Sequence, residues 1–485
     1  MSDIAALARG VILTGLTEPP RPEWAGFAGY LMFSRNGSSA ADLRDFTDSI
    51  RERCADRPLI AIDQEGGRVA RLERGVETIP SMMALGATGD AELARRAGEQ
   101  IAFDLRRAGC TLDFAPVLDL ALDSANTVIG TRTFGSDPQS VATLGAAVAR
   151  GLTRGGIVPC YKHFPGHGAT AVDSHDARPS LDVDEATLLA RDVAPFAAVA
   201  RDAAAIMSAH VVVPCLDPEN PATLSPRIAT GLLRKQLGFR GALVTDCLEM
   251  KAIAPAPPVD ALNAGSDLLI FSHSVDLALA AAAEIEAAVA QGRLPLARLE
   301  EAHARVTLLR EEANSPLPLE DFPPHPNVGR EIARRAITVV RGVPEASPLS
   351  SCAVSFGSGA ASLKRESPAL AELSVSLDPA QAEMEPVFAT LAQNDRRPIL
   401  LARRAHRHPA QAEAIAAVVA RFPDALVVSL LEPFDLPLFA SARHLLAAYG
   451  DDAASIGGLA DVLFGNSMPA GKLPVALKLQ GHAGE

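Results

Sequence analysis

The segment Lys162-His163-Phe164-Pro165-Gly166-His167-Gly168-Ala169-Thr170-Ala171-Val172-Asp173-Ser174-His175 gathers groups that can move protons or hold charge. Pro165, Gly166 and Gly168 impose an irregular backbone directly after an apolar run, so the residues that follow sit on a loop able to reach over a pocket. Asp173 and His175 are two positions apart. In extended backbone they project to the same side, and the carboxylate can hold one imidazole nitrogen while the other faces a substrate. The pair resembles the Asp-His half of a triad, in which the acid fixes the tautomer and stabilises the imidazolium. Two other readings compete. His163, His167 and His175 with Asp173 are residue types that bind zinc, although they lack the i, i+4 spacing of a helical site. The loop could also be a turn of solvated polar groups.

Something must position these residues. Short apolar runs with β-branched residues occur at Val11 to Thr14, Tyr30 to Phe33, Leu59 to Ile62, Thr111 to Phe114 and Ile157 to Tyr161, and again at Ala205 to Ser208, Ala242 to Thr245 and Asp267 to Phe271. Helix-like stretches separate most of them, among them Ala91 to Ala108, Pro138 to Arg154, Asp184 to Arg201 and Ser274 to Gln291. The alternation predicts a parallel sheet, and eight strands suggest closure into a (β/α)8 TIM-type barrel. Such a barrel places its chemistry just after the strands. Asp63 follows the third run, Lys162 and His163 the fifth, His210 the sixth, Asp246 the seventh, and Ser272 with His273 the eighth. Any one of these could merely cap a strand end, but polar groups after five buried strands need hydration or partners, and a functional face supplies both.

The apolar fraction of 48% is ample for a large core, while only 4% aromatic residues suits helices packed on a parallel sheet better than a β-sandwich. The chain divides near the Pro-rich stretch that begins at Asn314: a catalytic barrel over 1–313, a linker over 314–330 and a smaller α/β sandwich domain over 331–485. In the last part, Ile337 to Val340, Ala353 to Ser355, Ile399 to Leu401 and Leu426 to Leu430 read as strands, with a helix over Pro409 to Arg421. Its motifs show no acid at a catalytic spacing, which predicts a structural role.

A formal net charge of −13 without a long basic run argues against nucleic acid as a partner. No segment reads as a membrane span or a signal peptide, and the six cysteines are scattered without CxxC pairs, so the expected location is the cytoplasm. Nothing in the sequence identifies an oligomer, and a monomer is the preferred state.

The Lys162 to Gly168 motif with Asp173-Ser174-His175 downstream resembles the signature of family 3 glycoside hydrolases, in particular their β-N-acetylglucosaminidase branch. Asp63-Gln64-Glu65-Gly66-Gly67-Arg68-Val69, Phe114-Ala115-Pro116-Val117-Leu118-Asp119, Asn126 to Gly135 and Val244-Thr245-Asp246-Cys247 resemble further family segments in family order. Leu463 to Asn466 with Pro469 to Pro474 is similar to the end of the family's second domain. The resemblance implies Asp246 as nucleophile, His175 as general acid then base, and Asp173 as its partner. It also implies sugar binding by Asp63, Arg132, Lys162 and His163, with Arg68 and His210 in supporting positions behind them; Arg68 could equally be an ordinary salt-bridge residue. Many relatives carry an acid where this chain has Ala169, and Asp, Ser or Trp where it has Cys247, which bears on loop conformation and pocket shape.

The implied activity is retaining hydrolysis of terminal N-acetylglucosamine from cell-wall (peptidoglycan) fragments, with carbohydrate as the partner and no cofactor or metal. A β-glucosidase or β-xylosidase on the same fold would lack the Asp-Ser-His loop. A glycoside phosphorylase could use the same Asp-His pair, and a non-catalytic sugar-binding protein could share the fold.

Overall fold

The computed structural model describes residues 3–126, 128–170, 179–254, 257–315, 318, 322–357, 362–465 and 467–477. Eight strands close into a parallel barrel: β1 (Ile12–Gly15), β2 (Gly29–Met32), β3 (Leu59–Ile62), β4 (Leu112–Asp113), β5 (Val158–Phe164), β6 (Ala205–Ser208), β7 (Ala242–Cys247) and β8 (Leu268–Phe271). Each strand pairs with its sequence neighbour, and β8 returns to β1 through the register Ile12 to Leu269. The interior is a packed core, in which Leu13, Leu31, Phe114, Val158, Val244 and Ile270 belong to one buried cluster. Val306, Leu309 and Ala313 of the helix Leu296–Ala313 join that cluster and so tie the last barrel helix to the barrel interior.

Each apolar run expected from the sequence is a barrel strand, and two run further than their apolar residues. β5 continues through Lys162 and His163 to Phe164, and β7 includes Asp246 and Cys247. The buried charge of Lys162 in β5 is met by ion pairs with Asp63 and Glu65, and the pairing with β6 shifts register between Tyr161 and Phe164. The helix expected over Asp184 to Arg201 is instead broken. A wide turn at Leu188–Asp192 carries the bond from Val193 N–H to Leu188 O, five residues back, and the helix resumes at Ala194–Val199. Pro195, in the first turn of the resumed helix, has no N–H to donate to Arg191 O, four residues back, so the regular bonding is interrupted there.

The second sheet has six strands: β9 (Thr338–Arg341), β10 (Ser351–Phe356), β11 (Ala371–Val375), β12 (Arg397–Ala402), β13 (Leu426–Ser429) and β14 (His444–Ala447). Their spatial order is β9-β14-β13-β12-β10-β11, parallel except for the antiparallel β9–β14 pair. The helix Val328–Ala336 lies between the two domains. Arg335 pairs with Asp90 at 2.7 Å and Glu331 with Arg96 at 3.0 Å on the barrel side. On the other side the helix packs against Ala453–Leu463, so closely that a Cβ on Gly458 would meet Arg334 N at 2.4 Å. Ser81 Oγ donates to Tyr449 O at 2.6 Å, and Ser136 N–H to Pro474 O at 3.0 Å, which fastens the second domain to the barrel's loops. Among the described residues, no helix is long and apolar enough to cross a membrane.

Candidate active site

The loops at the carboxyl ends of the barrel strands enclose a cavity of about 230 Å³, lined by Asp63, Glu65, Arg132, Lys162, His163 and Asp246 among others. That is below the roughly 300–1,000 Å³ of pockets for drug-sized ligands and suits one small ring. Leu31, Val69, Phe114, Met207 and Ile270 supply apolar wall.

One side of the cavity is an ion network. Glu65, buried just after β3, accepts from Arg132 Nε at 2.8 Å and from its NH2 at 2.7 Å, and pairs with Lys162 Nζ at 2.6 Å. Lys162 also donates to Asp63 Oδ1 at 2.8 Å, and Arg71 lies 3.6 Å from Asp63 Oδ2. Burial alone would push the Glu65 pKa up, but the charges of Arg132 and Lys162 outweigh it and hold the carboxyl well below its ordinary value. Burial likewise works against charge on Lys162, and Asp63 and Glu65 overcome it, so the ammonium pKa is raised. Arg132 spends one further N–H on Val128 O at 3.1 Å. A guanidinium has five N–H donors and an ammonium three, so both cations retain donors that can be offered to hydroxyl or carbonyl oxygens.

Asp246, one residue before the end of β7 and across the barrel from β3, is partly exposed, with Oδ1 accepting the Cys247 N–H at 2.7 Å. Burial raises its pKa, but His210, His163, that N–H and Lys162 together bring it below the ordinary carboxylate value. The carboxylate is therefore ionised at neutral pH. His210 is fully buried behind it. Its Nε2 lies 3.0 Å from Cys247 O, which can only accept, so Nε2 carries the proton, and Nδ1 lies 2.8 Å from Thr223 Oγ1.

Asp119 organises the turn after β5. Its carboxylate accepts from His163 Nδ1 at 2.7 Å, from His163 N–H at 3.2 Å and from His167 N–H at 2.7 Å. This holds the His163 ring with its Nε2 unbonded to any described residue, on the cavity wall. Gly166, at φ +135°, and Gly168, where a Cβ would meet Leu120 O at 1.8 Å, show why small residues are needed here.

The structure thus brings Asp63, Arg132, Lys162, His163 and Asp246 to one cavity. Arg68 is exposed and donates to Val128 O at 2.5 Å, and His210 supports the backbone of Cys247. Ser272 lines the cavity, while His273 stacks on Phe33 at 5.5 Å. Asp173 and His175 lie outside the described residues. Among the described residues, no group of three or more His, Cys, Asp or Glu could hold a metal ion. Sequence reasoning passed over Glu65 and Asp119, although both stand inside family-like motifs. The available signal was charge balance, because two cations expected beside buried strand ends require buried anions.

A parallel (β/α)8 barrel with an ionised carboxylate facing a small, donor-lined cavity defines an enzyme furnished for a hydroxyl-rich substrate. Residues 24–309 match the model of the glycosyl hydrolase family 3 N-terminal domain. A β-hexosaminidase of Stenotrophomonas maltophilia strain K279a is 39% identical over 281 residues, 54% of this chain and 82% of the relative. One from Thiobacillus denitrificans is 40% identical over 304 residues, 59% of this chain and 83% of the relative. The solved β-N-acetylglucosaminidase of Paenibacillus sp. str. FPU-7 superposes with a TM-score of 0.90 at 31% identity, covering 99% of this chain and 100% of that one. The chain belongs to glycosyl hydrolase family 3. It is a glycoside hydrolase acting on O-glycosyl bonds.

Proposed function

We propose that the chain is a retaining β-N-acetylglucosaminidase that removes terminal N-acetylglucosamine from peptidoglycan fragments. The observation that carries this reading is that the Asp246 carboxylate and the Asp63–Glu65–Arg132–Lys162 network line one cavity the size of a single sugar. Asp246 attacks the anomeric carbon, and the C1–O bond to the leaving group breaks as the His175 imidazolium gives that oxygen a proton. The neutral imidazole then takes a proton from water, which displaces Asp246 and restores the starting configuration. Asp173 favours the imidazolium by its charge. Asp63, Arg132, Lys162 and His163 bind the sugar, Glu65 and Asp119 hold them in place, and no metal takes part.

The sugar assignment is supported by the relatives' β-hexosaminidase names and by the β-N-acetylglucosaminidase likeness across the whole chain. It is also supported by the NagZ of Neisseria gonorrhoeae, solved with N-trifluoroacetyl-D-glucosamine, which covers 62% of this chain at 31% identity with a TM-score of 0.52. A cytoplasmic monomer acting on recycled wall fragments, divided into a barrel over 1–313, a linker over 314–330 and a second domain over 331–485, completes the reading. The test is turnover of paired chromogenic substrates. The β-N-acetylglucosaminide should be hydrolysed with kcat/KM at least about a hundred-fold above the β-glucoside, and the reverse preference would refute the sugar assignment.

A further inference from the structure

The segment that carries Arg132 is held from the second domain. Arg407, in the loop after β12, donates through its NH2 to Ser124 O at 2.8 Å and Asn126 O at 3.1 Å. Arg407 is itself fixed: its Nε donates to His406 Nε2 at 3.1 Å, and His406 Nδ1 lies 2.6 Å from Oδ1 of the fully buried Asp435. A second contact comes from the loop after β13. Glu432, buried and bonded to Arg404 Nε at 3.1 Å and NH2 at 3.3 Å, packs against Gly130, where a Cβ would meet its Oε1 at 2.3 Å. Gly130 has φ +47°, so both its conformation and its clearance exclude a side chain.

What is held matters to the site at both ends. Asn126 Oδ1 accepts from Val128 N–H at 3.0 Å and Ile129 N–H at 2.9 Å, and Val128 O in turn receives Arg132 NH1. The Asn126 amide donates to His167 O and Thr170 O, both at 2.9 Å, which binds the same segment to the turn after β5. Hydrogen bonds joined through the residues Asn126 and Val128 therefore link a buried carboxylate of the second domain to the guanidinium on the cavity wall.

We propose that Arg407, braced by the Asp435–His406 pair, is a positioning residue for Arg132, so that the second domain sets the geometry with which the barrel grips its sugar. This rests on the reading of Arg132 as a sugar-binding residue. A contact that only glued two domains together would change the melting temperature and the active fraction, and hence apparent kcat. It would leave KM alone, because every molecule still folded would bind normally.

The experiment is a double-mutant cycle in the full-length enzyme on an aryl β-glycoside that the wild type turns over. Arg407→Ala should raise KM about five-fold or more with kcat within about two-fold, and Arg407→Lys, which keeps a charged donor, should fall between it and wild type. In the Arg132→Ala background, Arg407→Ala should change KM by less than about two-fold, because the group it positions is gone. If Arg132→Ala raises KM while Arg407→Ala and Arg407→Lys leave it at the wild-type value, the positioning role is overturned and the site reading stands. Additive effects of the two alanine changes on KM overturn it as well. If Arg132→Ala leaves KM unchanged, the sugar-binding reading of Arg132 falls and the proposal with it.

Discussion

Two regions of this molecule present the same kind of surface, the carboxyl ends of parallel strands, and use it in opposite ways. At the barrel, Glu65, Asp63 and Val128 O occupy only part of the donor capacity of Arg132 and Lys162, and both cations line a cavity together with Asp246. At the second sheet, the polar groups beyond β12 and β13 spend themselves on one another and on the neighbouring domain: Glu432 on Arg404, Asp435 on His406, and Arg407 on barrel carbonyls. Open α/β sheets commonly hold ligands at their carboxyl edge. Here the loops beyond β12 and β13 hold a segment of the barrel. The contrast teaches that a functional edge is marked by polar capacity left over after internal pairing, and not by the number of polar groups.

Asp246→Asn, nearly isosteric, should lower kcat by about a thousand-fold or more with the melting temperature unchanged if the carboxylate is the proposed nucleophile and not a core residue. Turnover near wild type in a folded variant would move the nucleophile elsewhere. His175→Ala should cost about 10²–10⁴-fold with poor leaving groups and much less with activated aryl glycosides, with Asp173→Asn milder in both. A series of aryl β-N-acetylglucosaminides of graded phenol pKa reads this directly, and an equal loss across the series would reassign His175 to binding or structure.

Glu65→Gln comes next. It leaves two buried cations short of a partner and should raise KM about ten-fold and destabilise the fold by about 3 kcal/mol. Because the Glu65 pKa is depressed in the fold, its stabilisation is present above the unfolded value and is lost as pH falls through the folded one. Urea titrations should show that acid-side slope in the wild type, and the variant should lack Glu65's share of it.

Asp113 gives a smaller effect. It is fully buried, accepts only the Gln64 N–H at 2.9 Å through Oδ1, and has no partner for Oδ2 among the described residues. Burial raises its pKa well above the ordinary value. An acid held protonated by the fold loses stability for it as pH rises from the unfolded pKa towards the folded one. Asp113→Asn should flatten that decline while leaving kcat/KM within about two-fold. EDTA should have no effect on turnover, and loss of activity restored by zinc would revive a metal site around the histidines.

The sequence disclosed the strands best where burial was two-sided, since a run such as Leu59–Ile62 has no other stable home. It disclosed β11 and β14 poorly. β11 is an edge strand with only Val375 buried, so it lacks an apolar signature; β14 is buried at every position, but it opens on His444, which leaves an apolar run of only three residues. Asp63, Lys162, His163 and Asp246 were legible because they interrupt or follow apolar runs. Glu65 and Asp119 were hidden because their importance lies in partners distant in sequence: Arg132 for one, and the turn at His163 and His167 for the other. The contact of Arg407 with Ser124 and Asn126, across 283 and 281 positions, is of the same kind. Only folding brings those residues together.

The central claim is a covalent step on Asp246 during release of N-acetylglucosamine. It is tested most directly by proton NMR of an aryl β-N-acetylglucosaminide in the first minutes of turnover, before mutarotation mixes the anomers. The account predicts that β-N-acetylglucosamine appears first and the α-anomer only later. Initial release of the α-anomer would mean direct displacement by water and would contradict it.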